Sequence, residues 1–454
     1  MRASEIRYRA ISLAVFLISL VIVLLPFHAF LTVWLASNFG HYTLLRLCKE
    51  FVILLVGIIA IIILATDTKI RDVVLKNKLI WLIVLYVVVD SLVSFYGFSI
   101  KKDISTKALA YGLLDDFRFL MFFVICFIFA HKTDRLSKRW LKLIIWPAII
   151  VVVFGVLQFS VLPANFLAHF GYGPKTIRPF QTINNNIHFV RILSTLRGSD
   201  PLGAYLILPI SALFILIIRH PKSWIWLKSI LLILSTIVLY ASYSRAAWIG
   251  AVLALLFILA MNYFKDIKKL ILKTNKYLVM AGVLIVIVGL SLSFIKLEHS
   301  RTFQNIVFHY QKNSSSPLSS DAEHLLALKE GFNNLVKHPL GSGSGTSGPA
   351  SVYNHKLGPN ITENYFLQVG EESGWLGMGL FIAINIYLGI LLYKNRRSDF
   401  ALTMLASLIG LSFVCLLTLE WTDDTMTYIW WGLAGVAISL SPAAQRLKLK
   451  KLKI

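Results

Sequence analysis

Long apolar runs alternate with short polar clusters along almost the whole chain. A run of about 20 apolar residues is long enough to cross the hydrocarbon core of a bilayer as a helix. About twelve runs approach or reach that length, near residues 10–25, 44–65, 79–96, 108–130, 141–160, 200–218, 226–242, 246–263, 277–295, 363–392, 401–419 and 426–441. The pattern predicts an all-α, polytopic membrane protein with about twelve transmembrane helices.

The composition agrees with a protein that is dissolved mainly in lipid. Hydrophobic residues make up 57% of the chain, charged residues make up 15%, and the mean hydropathy is +0.73. A formal net charge of +23 would suit a nucleic-acid partner. The lysines and arginines, however, fall in short clusters between apolar runs, which is typical of membrane proteins. We therefore expect membrane lipids, and no nucleic acid, as partners.

The basic clusters predict how the chain is oriented in the membrane. With an even number of spans, both termini lie on the same side, and most of the basic clusters fall on that side. These clusters are the N-terminus and residues 69–78, 132–142, 219–228, 265–276, 394–397 and 446–453. The positive-inside rule makes that side cytoplasmic, so both termini are predicted to be cytoplasmic. Lys101, Lys102 and Lys107 fall on the other side, where the larger clusters outweigh them.

One large extracytoplasmic loop is predicted over residues 296–362. Within it, Ser320 and Glu323 have the spacing of a helical capping box, and apolar residues then recur at helical spacing as far as Pro339. Four glycines follow, at positions 341, 343, 345 and 348. The loop therefore predicts a short amphipathic helix and then a glycine-rich segment before the next span. Two further external segments are expected, at residues 161–199 and 241–245.

Four segments of the sequence resemble a known family when they are taken in order. Residues 191–209 read RILSTLRGSDPLGAYLILP, and residues 243–251 read YSRAAWIGA. Residues 337–345 read KHPLGSGSG, and residues 363–381 read ENYFLQVGEESGWLGMGLF. Each motif is weak by itself, but their order and spacing are similar to those of the O-antigen ligase and O-antigen polymerase superfamily. Many ligases of that family have a histidine where this chain has Glu363.

The resemblance implies a GT-C-like membrane glycosyltransferase in the cytoplasmic (inner) membrane, with an extracytoplasmic active face. Such enzymes transfer a glycan from undecaprenyl diphosphate to an acceptor hydroxyl on a glycan or glycolipid, without a cofactor or a metal. On this basis we divide the chain into three parts. Residues 1–199 contain the N-terminal spans and the first large external loop. Residues 200–395 form the ligase-related core, which includes the loop 296–362. Residues 396–454 contain the C-terminal spans and a basic cytoplasmic tail.

Arginines are the groups expected to hold the departing diphosphate. The planar guanidinium pairs two phosphate oxygens and stays charged at any relevant pH. The resemblance places Arg191 and Arg245 in this catalytic role, with Arg197 as a third, substrate-binding arginine. Arg245 begins a span and should lie at the depth of a lipid phosphate, where an arginine that only reaches toward headgroups would also lie. For Arg191 the alternative is a solvated loop charge.

Glu363 is the predicted catalytic base, because the acceptor hydroxyl must lose its proton as the new bond forms. An acidic residue that opens a span also interacts favourably with the helix dipole, which is the alternative role for Glu363. His338 and His355 are other candidates for the base. The sequence therefore leaves Glu363, His338 and His355 as candidates for the catalytic base.

The remaining candidate residues surround the same motifs. Substrate contacts are predicted for Arg197, His338, Gly343, Gly345, Asn364 and Glu372. Glu372 lies inside an apolar run, so it needs a partner or a water-filled cavity, and a buried structural ion pair is equally compatible with the sequence. The glycine-rich segment is interpreted as a flexible hinge or a substrate-contacting loop, because it lacks the lysine of a nucleotide-binding loop.

Two acidic clusters complete the set. Asp115, Asp116 and Arg118 lie near the outer end of a span and are interpreted as a structural charge cluster, with lipid-diphosphate handling as the alternative. Asp423 and Asp424 precede the last span and are interpreted as a solvated turn, with a divalent-cation site as the alternative.

Three other functions stay open. A polysaccharide polymerase would use the same donor and would show the same motifs. A flippase or transporter would place charges at the bilayer midplane and would show paired halves, whereas the candidate charges here gather at one surface. A non-catalytic scaffold would not need Arg191, Arg245 and Glu363 together.

Overall fold

The computed structural model describes residues 3–183, 186–273 and 320–439. Within these ranges the chain is almost entirely helical. The helices are α1 Ala3–Phe39, α2 Tyr42–Thr66, α3 Thr68–Leu75, α4 Lys78–Tyr96, α5 Thr106–Lys132, α6 Arg135–Ser160, α7 Ser199–Arg219, α8 Ile225–Ala241, α9 Arg245–Lys273, α10 Ser320–Lys337, α11 Tyr365–Lys394, α12 Asp399–Cys415 and α13 Asp424–Ile438.

Eleven of the predicted apolar runs coincide with helices, and the run at 277–295 lies outside the described residues. Among the described helices, seven are long and apolar enough to cross a membrane, and α8 and α12 are shorter apolar helices. The seven are α1, α2, α4 with its C-terminal extension, α6, α7, α9 and α11. The chain is therefore an all-α membrane protein, as the sequence predicts, while the number of spans stays a prediction.

Helix α13 lies at the centre of the bundle and packs closely against α5. A Cβ on Gly435 would lie 2.4 Å from the carbonyl oxygen of Phe123, and a Cβ on Gly432 would lie 2.5 Å from the Phe122 ring. Small residues allow helix backbones to approach in this way. Trp421, Trp430 and Trp431, all fully buried, fill the space beside them.

A short hairpin lies between α6 and α7. Its strands are β1 Gln181–Ile183 and β2 Asn186–Arg191, which pair antiparallel with Gln181 opposite Arg191. The backbone N–H of Ile192 donates to the carbonyl of Ala241 at 3.2 Å. This bond ties the hairpin to the connection between α8 and α9.

The glycine-rich segment is built into a break in α11. Gly374 has φ 71° and ψ −175°, which interrupts the helix and frees its backbone groups. Ser342 N donates to Glu371 O at 2.9 Å, and Trp375 N donates to Pro339 O at 3.0 Å. The segment expected as a hinge or a substrate-contacting loop is therefore folded into the broken helix through backbone hydrogen bonds.

Candidate functional site

A cavity of about 340 Å³ opens where the N-terminal ends of α2, α7 and α13 meet the C-terminal end of α12. It lies at the end of the bundle that is predicted to face outward. Its lining combines three arginines with four acidic residues, which are Arg46, Arg118, Arg197, Asp115, Glu420, Asp423 and Asp424. The backbone after the glycine-rich segment supplies Pro349, Ala350 and Tyr353.

Arg118 is the central cation of this cavity. Its side chain is 5% exposed, and Nη1 lies 2.5 Å from Asp424 Oδ1. Nη2 lies 3.0 Å from Asp115 Oδ1 and donates to the carbonyl oxygen of Thr422 at 2.7 Å. A buried guanidinium that is held by two carboxylates and a carbonyl keeps its charge and its position. The predicted structural pairing of Asp115 with Arg118 is confirmed, and Asp116 is buried without an ion pair in the described structure.

A second buried cation approaches the same carboxylate from α2. Lys49 Nζ lies 2.8 Å from Asp424 Oδ2 and 3.5 Å from Glu50 Oε1, and its side chain is 6% exposed. Burial raises the pKa of Asp424, but the charges of Arg118 and Lys49 more than offset this and hold its pKa well below the usual range. Asp424 is therefore ionised at neutral pH.

Arg46 and Arg197 differ from Arg118 in having unused hydrogen-bonding capacity. Both line the cavity, and neither forms a side-chain hydrogen bond or an ion pair with any residue that the structure describes. Arg197 is exposed and Arg46 is partly buried. Their guanidinium groups are available to an anion that enters the cavity.

The turn between α12 and α13 carries three acidic residues in different environments. Asp423 accepts hydrogen bonds from the backbone of Thr425 and Met426 at 3.0 and 3.2 Å and caps α13. Glu420 is 5% exposed, and its Oε2 has no hydrogen-bond partner among the described residues. The interpretation of Asp423 and Asp424 as a solvated turn is wrong, because Asp423 is buried as the cap of α13 and Asp424 is paired with Lys49 of α2 and Arg118 of α5.

Arg191 joins the hairpin to two neighbouring elements. Its Nε donates to the carbonyl oxygen of Ser242 at 3.0 Å, and its Nη2 lies 2.7 Å from Asp200 Oδ1. Its side chain is 16% exposed, so the alternative of a solvated loop charge is wrong. Arg245 begins α9 three residues after Ser242. The structure thus places Arg191 and Arg245 at the same connection, and Arg191 is near enough to the lining residue Glu420 to influence it electrostatically.

Glu363 lies beside α10 and does not line the cavity. Its carboxylate pairs with Nδ1 of His324, and its side chain is 50% exposed. The helix N-cap of α11 is Asn364, whose Oδ1 accepts from Leu367 N at 3.0 Å. Capping, the alternative role considered for Glu363, therefore belongs to its neighbour. Glu363 itself adopts a left-handed backbone with φ 54°, which is unusual outside glycine.

The other predicted substrate contacts lie away from the cavity. Glu372 is buried, and its two oxygens accept from Gly345 N at 2.7 Å and from Gln368 Nε2 at 3.3 Å. Gly343 and Gly345 lie against the backbones of α4 and α5. His338 is exposed, as is the alternative base His355. None of these residues lines the cavity, whereas Arg197 does.

Four charged residues of the site were missed by the sequence analysis, namely Arg46, Lys49, Glu50 and Glu420. Three of them stand within a single turn of α2, inside an apolar run. Charged side chains at membrane depth need partners, so this cluster was itself a signal. Glu420 gave no such signal, because it follows the apolar part of α12 and resembles a loop residue.

Comparison with known proteins agrees with the resemblance seen in the motifs. No curated protein matches the chain. The family described as O-Antigen ligase matches residues 230–382, about a third of the chain. The matched region includes Arg245, the glycine-rich segment and Glu363, and it ends within α11. Over residues 230–382 the chain is therefore similar to the O-antigen ligase family, which confirms the resemblance that the motifs show.

Proposed function

We propose that the protein is a membrane glycosyltransferase of the O-antigen ligase type. It would transfer a glycan from undecaprenyl diphosphate to an acceptor hydroxyl on the extracytoplasmic side. The observation that carries the proposal is the cavity with three arginines at one end of the bundle, next to the family-matched segment. The family suggests a ligase or polymerase type of membrane enzyme, and the cavity suggests where its donor binds.

The three arginines suit a diphosphate leaving group. Negative charge develops on the leaving oxygen as the glycosidic bond breaks, and preorganised cations lower the barrier by stabilising that charge. Arg46 and Arg197 supply two uncommitted guanidinium groups. Arg118 is already held by Asp115 and Asp424, so it supplies fixed charge without needing to reorganise.

Arg191 and Arg245 do not line the cavity, so this proposal gives them supporting roles. Arg191 is committed to Ser242 and Asp200, so it holds the hairpin that presents Gln181 to the cavity. Arg245 lies at the neighbouring connection, where a lipid phosphate would be within reach of an arginine at the membrane surface. The catalytic roles predicted for both residues stay predictions, as do the substrate contacts of His338, Gly343, Gly345, Asn364 and Glu372.

The function can be tested by reconstituting the protein in liposomes with an undecaprenyl-diphosphate-linked oligosaccharide and extracted envelope acceptors. Transfer of the glycan to the acceptor, with release of undecaprenyl diphosphate and in the presence of EDTA, is the expected result. A single addition indicates a ligase, and a ladder of repeats indicates a polymerase. If no acceptor is glycosylated while labelled donor crosses the bilayer, the protein is a flippase and the proposal fails.

A further inference from the structure

Glu420 is a buried carboxylate that lines the cavity without a hydrogen-bond partner for one of its oxygens. It begins the short helical turn Glu420–Thr422 between α12 and α13 and is 5% exposed. Its Oε2 has no partner among the described residues. Buried acceptors are almost always paired, so an orphan of this kind in a cavity indicates a group that is kept ready for a ligand or a proton.

Neither Arg118, which lines the same cavity, nor Arg191 neutralises Glu420 by direct contact. Arg118 is committed to Asp115 and Asp424, and Arg191 is committed to Asp200 and Ser242. No ion pair to Glu420 is formed within the described ranges, 3–183, 186–273 and 320–439. The carboxylate therefore shares a cavity with cations and keeps a free acceptor.

Glu363 lacks both features. Its carboxylate is half exposed, is already paired with His324, and belongs to a residue outside the lining of the cavity. A general base must lie within hydrogen-bond distance of the proton that it removes. A base for a reaction in this cavity must therefore come from the lining, where Glu420 is the acid with an unpartnered oxygen and without a capping role or an ion pair.

We propose that Glu420 is the general base that deprotonates the acceptor hydroxyl. The inference rests on the proposed function and names a further catalytic residue of the same site. The acceptor proton passes to the Glu420 carboxylate while the acceptor oxygen bonds to the anomeric carbon of the donor sugar. The bond between that carbon and the diphosphate oxygen breaks, and undecaprenyl diphosphate leaves with the electron pair. The proton is then released from Glu420 to water.

The electrostatic surroundings increase the affinity of the Glu420 carboxylate for a proton. Burial, followed by the neighbouring charges of Asp423 and Asp200, raises the pKa of Glu420, and Arg191 opposes that shift. Cys415 on α12 also faces it. Across the cavity lie the cations Arg46, Arg118 and Arg197 and the anions Asp115 and Asp424. Because only the ionised carboxylate accepts the proton, the transfer rate should rise with pH through the pKa of Glu420.

The test is single-turnover glycan transfer in liposomes as a function of pH, for wild type, Glu420→Gln, Glu420→Asp and Glu363→Gln. Glu330→Gln, an exposed position on α10, is the matched control. We expect Glu420→Gln to lower the rate by about 10²–10⁴-fold at unchanged KM for the lipid-linked donor. Glu420→Asp should keep a rising pH limb with a shifted midpoint, and Glu363→Gln should keep the wild-type midpoint.

The outcomes separate this inference from the proposed function. If wild type transfers glycan and Glu420→Gln transfers it at the same rate, or if Glu363→Gln removes the rising limb, the base assignment is overturned and the function stands. If Glu420→Gln fails to fold, an unshifted midpoint in Glu420→Asp overturns the assignment. If wild type transfers no glycan to any acceptor, the proposed function fails, and the assignment fails with it.

Discussion

Arg118 and Asp424 form an ion pair of 2.5 Å between α5 and α13, two helices that are far apart in sequence and adjacent at the centre of the bundle. Lys49 reaches the other oxygen of the same carboxylate from α2. Asp424 therefore links three helices beside the cavity. A carboxylate in this position both holds the bundle together and fixes the charge that an incoming anion meets.

Removing this carboxylate charge should destabilise the fold strongly. In Asp424→Asn, Arg118 and Lys49 lose a common counter-charge while both stay buried. Breaking a buried ion pair in this way costs about 3–5 kcal/mol of unfolding free energy. Thermal unfolding in detergent should show a large fall in Tm. Because the pKa of Asp424 lies far below its usual value, the difference from wild type should persist from pH 8 to 5 and narrow only below about pH 4.

The matched control is Glu5→Gln, which removes the exposed Glu5–Arg9 pair on α1. An exposed pair four residues apart contributes at most about 0.5 kcal/mol. An equal fall in Tm for Glu5→Gln and Asp424→Asn would mean that the buried network has no special role in stability.

Removing the charge of Glu420 should stabilise the folded protein, in contrast to removing the charge of Asp424. Its pKa is raised in the folded protein, mainly by burial, so the folded state binds its proton more tightly than the unfolded state does. The ionised Glu420 carboxylate therefore destabilises the folded state most when the pH is above its folded pKa. This destabilisation disappears as the pH falls to the pKa of an ordinary glutamate. We expect Glu420→Gln to have a higher Tm than wild type at pH 8 and the same Tm near pH 4. A lower Tm at pH 8 would show that the carboxylate is a structural acceptor.

The break in α11 should depend on the absence of a side chain at one position. A Cβ on Gly374 would lie 2.5 Å from Pro339 O, and the residue has φ 71°. Gly374→Ala should therefore cost about 1–3 kcal/mol and lower the Tm. Gly379, five residues further along the same helix, has open space around it, so Gly379→Ala should be neutral or stabilising. Similar Tm values for the two variants would contradict this account of the break.

The helices were predictable from the sequence because each apolar run is a local pattern. The apolar run near 200–218 coincides with α7, and the capping-box spacing at Ser320 marks the start of α10. Pro339 ends the amphipathic pattern just after α10, as expected. These features depend on neighbours a few residues away, which a single sequence displays directly.

The candidate site was less predictable because long-range contacts build it. Nothing near Asp424 in the sequence indicates that Arg118 and Lys49 will neutralise it, so the turn resembled a solvated one. The glycine-rich segment resembled a mobile loop, because its partners, the freed backbone groups around Gly374, appear only when α11 breaks. Arg197 lines the cavity as part of a predicted motif, whereas Arg46 was missed within an apolar run.

Arg191 should not tolerate replacement even by lysine. Its guanidinium bonds Ser242 and Asp200 at once, through Nε and Nη2. A lysine provides a single point charge and cannot reproduce both bonds in that geometry. We expect Arg191→Lys to lower the Tm and to lower glycan transfer. Arg178→Lys, at an exposed arginine of the same external segment, should change neither quantity. Full activity in Arg191→Lys would show that only its charge matters.

The most direct test of the diphosphate cavity is the kcat/KM for the lipid-linked donor, measured with liposome-reconstituted Arg197→Ala and Arg46→Ala. Arg178→Ala, which removes an arginine outside the cavity lining, is the control for charge alone. Loss of one guanidinium donor to the diphosphate should reduce kcat/KM by about 10²-fold in each cavity variant and leave the control unchanged. Wild-type kcat/KM in both cavity variants would contradict the account and would place the donor diphosphate elsewhere in the protein.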